Sequence, residues 1–119
     1  MSDRVVGVTI DDVLATELAT GRAVPTAETG APYESWHVIS DDGRVELGIW
    51  EVTPGSFRGS CDGYYEQMHF VAGRGSITDA VGEVTAIQPG VVMLCPDGWS
   101  GVWEVEETVR KTYAVVKSS

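Results

Sequence analysis

The turns constrain this chain more than any other feature. From Tyr33 onward, short apolar runs are separated by Asp41-Asp42-Gly43, Pro54-Gly55, Asp62-Gly63, Gly73-Arg74-Gly75, Val81-Gly82, Pro89-Gly90 and Pro96-Asp97-Gly98. Gly takes up positive φ without steric penalty and Pro presets φ near the turn value. Turn chemistry recurring at intervals of about ten residues leaves room only for strands of ordinary length, which is the pattern of an all-β sandwich or barrel. The apolar runs predict strands over 35–40, 44–53, 65–72, 75–80, 83–87, 91–95, 100–106 and 109–116. Gly73-Arg74-Gly75 begins like a dinucleotide fingerprint, but the third glycine is missing and no helix follows, so it reads as a hairpin turn.

One helix precedes the strands. Thr9 to Ala19 carries Thr9 as N-cap, Asp12 at the capping-box distance and Gly21 as a stop. Ile10, Val13, Leu14 and Leu18 mark one face, the pattern of a helix that packs on the outside of a sheet. Val24 to Pro32, rich in Thr, Ala, Gly and Pro, reads as an extended connection. The expected organisation is therefore an N-terminal helix and connection over 1–32 and a β-barrel over 33–119.

At 119 residues the chain has the length of one domain and can bury a core without disulfides or a structural metal. Eight basic residues against eighteen acidic ones give a net charge of −10, and the basic ones form no cluster. Such a surface repels phosphates, which excludes nucleic acid and anionic membrane as expected partners. No run approaches the ~20 apolar residues of a membrane-spanning helix, and the Met1-Ser2-Asp3-Arg4 start leads into no signal-peptide apolar segment, so a cytoplasmic location is expected. Cys61 and Cys95 stand alone without CxxC spacing and read as free thiols; Cys95 has no base beside it in sequence and suits a buried structural role.

Two segments have a recognisable spacing. In Glu66-Gln67-Met68-His69-Phe70-Val71-Ala72-Gly73 a Glu precedes an apolar strand and a Gly turn; Gly90-Val91-Val92-Met93-Leu94-Cys95-Pro96-Asp97-Gly98 keeps a Gly, a Pro and a Gly in register. In this order they resemble the two short motifs of the cupin superfamily. A narrower likeness lies in Gly48-Ile49-Trp50-Glu51-Val52-Thr53-Pro54-Gly55, in Gly98-Trp99-Ser100-Gly101-Val102-Trp103-Glu104-Val105 and in Val109-Arg110-Lys111. These resemble the small single-domain cupins related to the cupin domain of (S)-ureidoglycine aminohydrolase. The resemblance implies an antiparallel cupin (RmlC-like) β-barrel or jelly roll with a short N-terminal helix, and it implies architecture more firmly than chemistry.

The same resemblance exposes what is missing. In metal-binding cupins two His separated by one residue precede the first-motif Glu; here those places hold Ser60 and Asp62, or Gly59 and Cys61. The third His would fall at Gly101, so only Glu66 remains of the four usual ligands. His69, three residues from Glu66 on one strand, points to the opposite face by the period of two, and His37 reads as a surface or edge residue. No metal and no other cofactor is expected. Two oxygen ligands, Asp62 and Glu66, would make only a weak site for a hard cation.

If Glu66 is inward, alternation carries Met68 and Phe70 inward with it. The space left by absent histidines is open to Trp or Met side chains, which fill it or line it. Glu66 is the candidate catalytic residue, because a carboxyl among Met68, Phe70 and Trp103 loses hydration in the way proton transfer near neutrality requires. The candidate ligand-binding residues are Trp50, Tyr64, Met68, Phe70, Trp103 and Lys111, the last either paired with Glu66, holding an anionic substrate, or merely a surface lysine. Three functions stay open. One is a metal-independent small-molecule cupin able to run an isomerase, lyase or hydrolase step on a small polar ligand. The second is a non-catalytic binding or assembly module, and the third a metal-dependent hydrolase or oxygenase with an unconventional site. A homodimer is expected, because a sheet edge or face of this kind is usually covered.

Overall fold

In the computed structural model, which describes residues 4–118, the punctuated runs become the strands of one antiparallel sheet. The Met1-Ser2-Asp3 start and Ser119 lie outside the described residues. A helix α1 (Ile10–Ala15) is followed by β1 (Thr20–Ala23), β2 (Ala27–Gly30), β3 (Tyr33–Asp41), β4 (Val45–Val52) and β5 (Gly55–Ser60). Then come β6 (Tyr64–Asp79), β7 (Val84–Ile87), β8 (Val92–Cys95) and β9 (Ser100–Lys117). The spine is β9. Along one edge it pairs with β6; along the other it pairs with β4 and then with β5. Outward from these, β3 pairs with β4 and β2 with β5, β1 joins β3, and β8 and β7 line the far edge of β6. The result is the curled all-β architecture that the turn spacing predicts.

The main departure lies in how the long strands bend. Gly73-Arg74-Gly75 is not a hairpin turn: β6 runs straight through it, and the expected strands 65–72 and 75–80 are one strand with three register shifts between Phe70 and Gly75. Gly73 has φ +93°, and a Cβ there would run into the Thr108 carbonyl oxygen, so only glycine lets β6 lie this close to β9 at the bend. The expected strands 100–106 and 109–116 are likewise one strand, β9, opposite the same bend. The next expected turn, Val81-Gly82, does form the hairpin, and there the Asp79 carboxylate accepts from the Val81 and Glu83 amides at 3.1 and 2.9 Å.

Three strands escaped the sequence reading. The stretch around the expected connection holds β1 and β2, and Pro54-Gly55 opens a further strand, β5. Their sequences, Thr-Gly-Arg-Ala, Ala-Glu-Thr-Gly and Gly-Ser-Phe-Arg-Gly-Ser, lack the alternation of a half-buried strand. Ladder hydrogen bonds to β3, β5 and β9 order them, not local propensity.

The helix forms with its predicted start and a shorter body. Thr9 and Asp12 make the reciprocal capping box, with the Asp12 amide donating to Thr9 Oγ1 at 3.0 Å. It ends at Ala15 rather than Ala19: Thr16 leaves the helical region (ψ 128°), and its hydroxyl donates back to the Asp12 carbonyl at 2.6 Å. Of the expected apolar face only Val13 is fully buried, while Ile10 and Leu14 stay about half exposed. What holds α1 against the barrel is Arg110 on β9. Its Nη1 donates to the carbonyls of Val13 (2.8 Å), Thr16 (2.9 Å) and Leu14 (3.3 Å), groups that a helix end leaves without partners. Its Nε reaches Glu51 on β4 at 3.1 Å.

The core fills the inside of the curl with Val52, Phe57, Met68, Phe70, Ile77, Ile87, Trp103, Val105 and Val109. Burying each large side chain contributes about 1.5–3 kcal/mol. Among the described residues no helix is long and apolar enough to cross a membrane.

Because one guanidinium closes both the end of α1 and its seat on the sheet, Arg110→Ala is expected to lower the unfolding free energy by about 2–3 kcal/mol, the scale of lost charge-assisted hydrogen bonds to groups left buried. Urea denaturation reads this directly. A loss below about 0.5 kcal/mol, the level of a neutral surface change, would mean that Arg110 does not anchor the helix.

Candidate functional site

Strand alternation builds the site as three cross-strand rows facing into the curl. In one row Trp36, Trp50, Lys111 and Phe70 are successive register partners on β3, β4, β9 and β6. Two residues along lie Gly48, Tyr113, Met68 and Met93, and two further lie Glu46, Val115, Glu66 and Cys95. Trp36, Trp50 and Lys111 of the first row, Tyr113 and Met68 of the second and all four of the third, with residues from β1 and β5, wall a cavity of about 490 Å³, within the range usual for small-molecule sites. All four tryptophans of the chain, Trp36, Trp50, Trp99 and Trp103, line it.

Its centre is a buried ion pair. Lys111 is 4% exposed, and its Nζ donates to Glu66 Oε2 at 2.7 Å and to Met68 Sδ at 3.1 Å. The same ammonium lies 4.4 Å from the Trp50 ring centroid and 5.0 Å from that of Trp103. Taking this charge out of water is costly, and the carboxylate, the thioether and two π faces together offset that cost. The surface-lysine alternative for Lys111 is thus excluded. Trp103 is fixed in turn by stacking on Phe57 (5.5 Å, 18°) and by edge contact with Trp50 (5.4 Å, 63°).

Glycines make room for the indoles. A Cβ at Gly101 would meet the Trp99 ring at 2.7 Å, and one at Gly59 would meet Trp103 Nε1 at 2.7 Å and Trp99 at 3.6 Å. Gly101, and Gly59 in one of the two registers, are positions where the cupin resemblance would seat histidines; Trp99 and Trp103 pack into that space. A transition metal of the kind many cupins hold does not fit this donor set: rings fill the histidine places, and the remaining carboxylate is bonded to an ammonium. Among the described residues, no three His, Cys, Asp or Glu side chains gather as a ligand group. Neither His37 nor His69 lines the cavity.

Of the residues singled out from sequence, the structure brings Glu66, Trp50, Tyr64, Met68, Trp103 and Lys111 together on the cavity wall. Phe70 does not join them. It is wholly buried behind Trp103, with ring centroids 6.0 Å apart, because the row it occupies lies at the bend of β6, under the core. Of the alternatives for Lys111 the structure shows the pair with Glu66, so this carboxyl has a counter-charge beside its apolar neighbours. Tyr64 donates to the Ser60 carbonyl at 2.9 Å, and burial pushes its phenol up to about 12. Burial likewise pushes Cys95 up to about 12 and raises Cys61, with the Glu66 charge adding to both, so these buried thiols are protonated at neutral pH and are poor nucleophiles.

Sequence reasoning missed Arg22, Glu34, Trp36, Glu46, Arg58, Trp99 and Tyr113, all of which line the cavity. Glu34 accepts from Arg22 Nε (2.8 Å) and Trp50 Nε1 (2.9 Å); Glu46 accepts from the Tyr113 hydroxyl (2.5 Å), whose ring lies over Gly48. Period-two alternation from Trp50 to Glu46 on β4 and from Lys111 to Tyr113 on β9 is the signal that would have found two of them. The loops clamp the rim: Gly98 donates to the Cys61 carbonyl at 2.7 Å, Cys61 to the Trp99 carbonyl at 2.9 Å, and Gly63 to the Asp97 carboxylate at 2.8 Å.

A curled antiparallel sheet with an inward Glu on the first-motif strand and a Gly-Pro-Gly second motif is a cupin. More narrowly, residues 39–113 match the EutQ-like cupin domain, and the chain belongs to that family. Solved structures agree on the fold. A putative ethanolamine utilization protein Q from Salmonella typhimurium LT2 superposes with a TM-score of 0.64 at 21% identity, over 82% of this chain and 78% of that one. The EutQ protein of Clostridium difficile gives 0.64 at 16% identity over 74% and 65%. A DUF861-family protein of unknown function from Pseudomonas syringae pv. tomato gives 0.74 at 21% identity over 88% and 46%. The chain thus spans about two thirds of the Clostridium protein and under half of the Pseudomonas one. No curated protein matches it in sequence.

Removing one partner of a buried pair leaves the other uncompensated. Lys111→Met is expected to destabilise by about 3–5 kcal/mol, whereas Lys111→Met with Glu66→Leu recovers most of that loss. Chemical denaturation of the two single variants and the double one measures the coupling. Additive losses, with no recovery in the double variant, would show that the pair is not a unit.

Proposed function

We propose that this chain is a metal-independent cupin that binds a small molecule in the tryptophan-walled cavity, with Glu66 as the group that transfers a proton. The observation that carries this reading is the Lys111–Glu66 pair at 2.7 Å: a side-chain ammonium stands on the one carboxylate left from the cupin ligand set. A fixed ammonium has no exchangeable coordination sites, so it cannot bind substrate and water as a catalytic metal does. It can orient Glu66. Lys111 takes Oε2 and leaves Oε1 without a hydrogen-bond donor among the described residues, which is the oxygen free to accept a substrate proton. Proton transfer of this kind serves an isomerase, lyase or hydrolase step. The narrower resemblance to ureidoglycine aminohydrolase cupin domains puts small ureides among the ligands to test, beside carboxylates and sugars.

The test is a thermal-shift screen of such compounds with elemental analysis of the purified protein. Stabilisation by a small molecule is expected in the absence of stoichiometric zinc, iron, manganese, copper or nickel. Glu66→Gln keeps an acceptor for Lys111, so it should fold while weakening that ligand at least tenfold, about 1.4 kcal/mol. A full equivalent of tightly held transition metal would overturn the reading, and a Gln variant with unchanged ligand response would remove Glu66 from it.

A self-associating role is favoured by a separate observation. On the outer face of β6, β8 and β9, Leu94 (62% exposed), Val92 (60%), Tyr65 and Val116 form a patch, set in register by Gln67↔Leu94, His69↔Val92 and Tyr65↔Val116. A second copy of this chain is the proposed occupant, giving a homodimer with the cavities facing away from the contact. Light scattering should give twice the 12.8 kDa chain mass, and Leu94→Glu should return it to the monomer value. A monomer mass for the unmodified chain at high micromolar concentration would end this proposal.

A further inference from the structure

The cavity's polar groups are not equally satisfied, and the imbalance has a sign. Each lining carboxylate already has a donor from the chain: Glu34 has Arg22 and Trp50, Glu46 has Tyr113, and Glu66 has Lys111. The Lys111 ammonium is equally engaged, by Glu66, Met68 and two indole faces. No lining carboxylate is therefore without a counter-charge or donor, although Glu66 Oε1 and Glu46 Oε1 keep acceptor capacity.

The guanidinium groups differ. Arg22 commits only its Nε to Glu34, and Arg58 makes only a 3.9 Å ion pair with Glu28, too long for a hydrogen bond. Their side chains are 60% and 61% exposed and both residues border the cavity, but only Arg22 shares the inward face, opposite Glu34; Arg58 lies between the inward Phe57 and Gly59 and sends its side chain to the outer face. Each guanidinium carries five N–H donors in a planar fork suited to a carboxylate, and most of these donors have no partner among the described residues. Arg22 also lies 5.8 Å from the Trp36 ring centroid, so donor and flat apolar wall stand together. In a chain of net charge −10 with eight basic residues, three of the eight, Arg22, Arg58 and Lys111, border this one cavity.

We infer that the ligand of this cavity is a small organic carboxylate with a flat apolar body, its carboxylate held at the rim by Arg22 and its body laid against the tryptophan walls. This rests on the small-molecule reading above and adds the class of molecule. The net negative charge of the chain repels anions at long range, so recognition is carried by this short-range fork and not by steering.

Three molecules of nearly one shape separate the possibilities: phenylacetate, phenylacetamide and phenethylammonium, titrated into the full chain by calorimetry, with intrinsic tryptophan fluorescence as a second readout because every indole faces the cavity. Phenylacetate is expected to bind at least tenfold more tightly than the amide, with the ammonium compound weakest. In the Arg22→Gln variant that preference should fall to within about twofold. Arg22 is largely exposed, and a circular-dichroism melt checks that the variant is folded; Arg58→Gln, on the outer face of β5, should keep the preference. If the amide or the ammonium compound binds as tightly as the carboxylate, or the Arg22 variant keeps its preference, the ligand class is wrong while the small-molecule reading stands. If none of the three binds, the class assignment falls, and the cavity reading then depends on the wider screen alone.

Discussion

A buried ammonium is the constraint around which this barrel is arranged. Lys111 sits mid-strand on β9 with only 4% of its surface exposed, and a lysine in that position is tolerable only if its charge is met from several sides. Three strands meet it: Glu66 and Met68 come from β6, Trp50 from β4 and Trp103 from the other half of β9. Trp103 can reach back to Lys111 only because β9 bends between them, and the bend of β6 at Gly73 keeps the two strands paired through it. Backbone curvature and electrostatics are therefore one problem here. A straight β9 would separate the indole from the ammonium and leave the cation short of one of its partners.

The same arrangement explains how a cupin site is altered without losing the fold. Glycine at 59 and 101 leaves no side chain on the inward face where the cupin resemblance places histidines in one of its two registers, and a void there would be destabilising unless filled. Trp99 and Trp103 fill it, which converts a polar ligand sphere into an apolar wall. Glu66 keeps its place, and Lys111 supplies the positive charge that its surroundings demand. The exchange is chemically restrictive. A bound metal can polarise a carbonyl or activate water, whereas an ammonium enclosed by a carboxylate, a thioether and two rings can only orient and compensate. The proposed function leaves to the site recognition, and proton movement at Glu66 Oε1.

How much of this was legible in the sequence depends on how local each feature is. Turn residues announce themselves, so the all-β class and the turns at Gly43, Gly82 and Gly98 follow from the chain alone. Gly73-Arg74-Gly75 misled because a glycine needed for close strand approach looks like a glycine needed for reversal; only the Thr108 carbonyl, thirty-five residues away, distinguishes them. Strands β1, β2 and β5 bury little and so show no alternation. The same division runs through the site. Glu66 and Met68 lie on one strand and follow from a period of two, and Trp50, Trp103 and Lys111 from the family spacing. Arg22, Glu34, Trp36 and Arg58 join them only through the pairing of β1 with β3 and of β5 with β9, contacts that no local pattern encodes. Phe70 shows the limit of alternation from the other side: it has the right parity, but it sits where the strand bends and Trp103 covers it.

The contrast between floor and rim bears on how such a cavity selects a molecule. At the floor every charged group is engaged within the chain, and rearranging any of them would expose a buried charge, so the floor acts as a rigid template. At the rim the guanidinium groups are solvated and only partly engaged, so they can adjust to a ligand at the cost of side-chain entropy alone. On the proposed ligand class, shape would be read by the packed indoles and charge by the exposed guanidinium of Arg22. Changing Arg22 would then alter which charge is accepted while leaving the buried pair untouched. Changing Lys111 or Glu66 disturbs the core itself. That separation is the physical reason a barrel of this kind can acquire a new ligand through substitutions at its rim without refolding its centre.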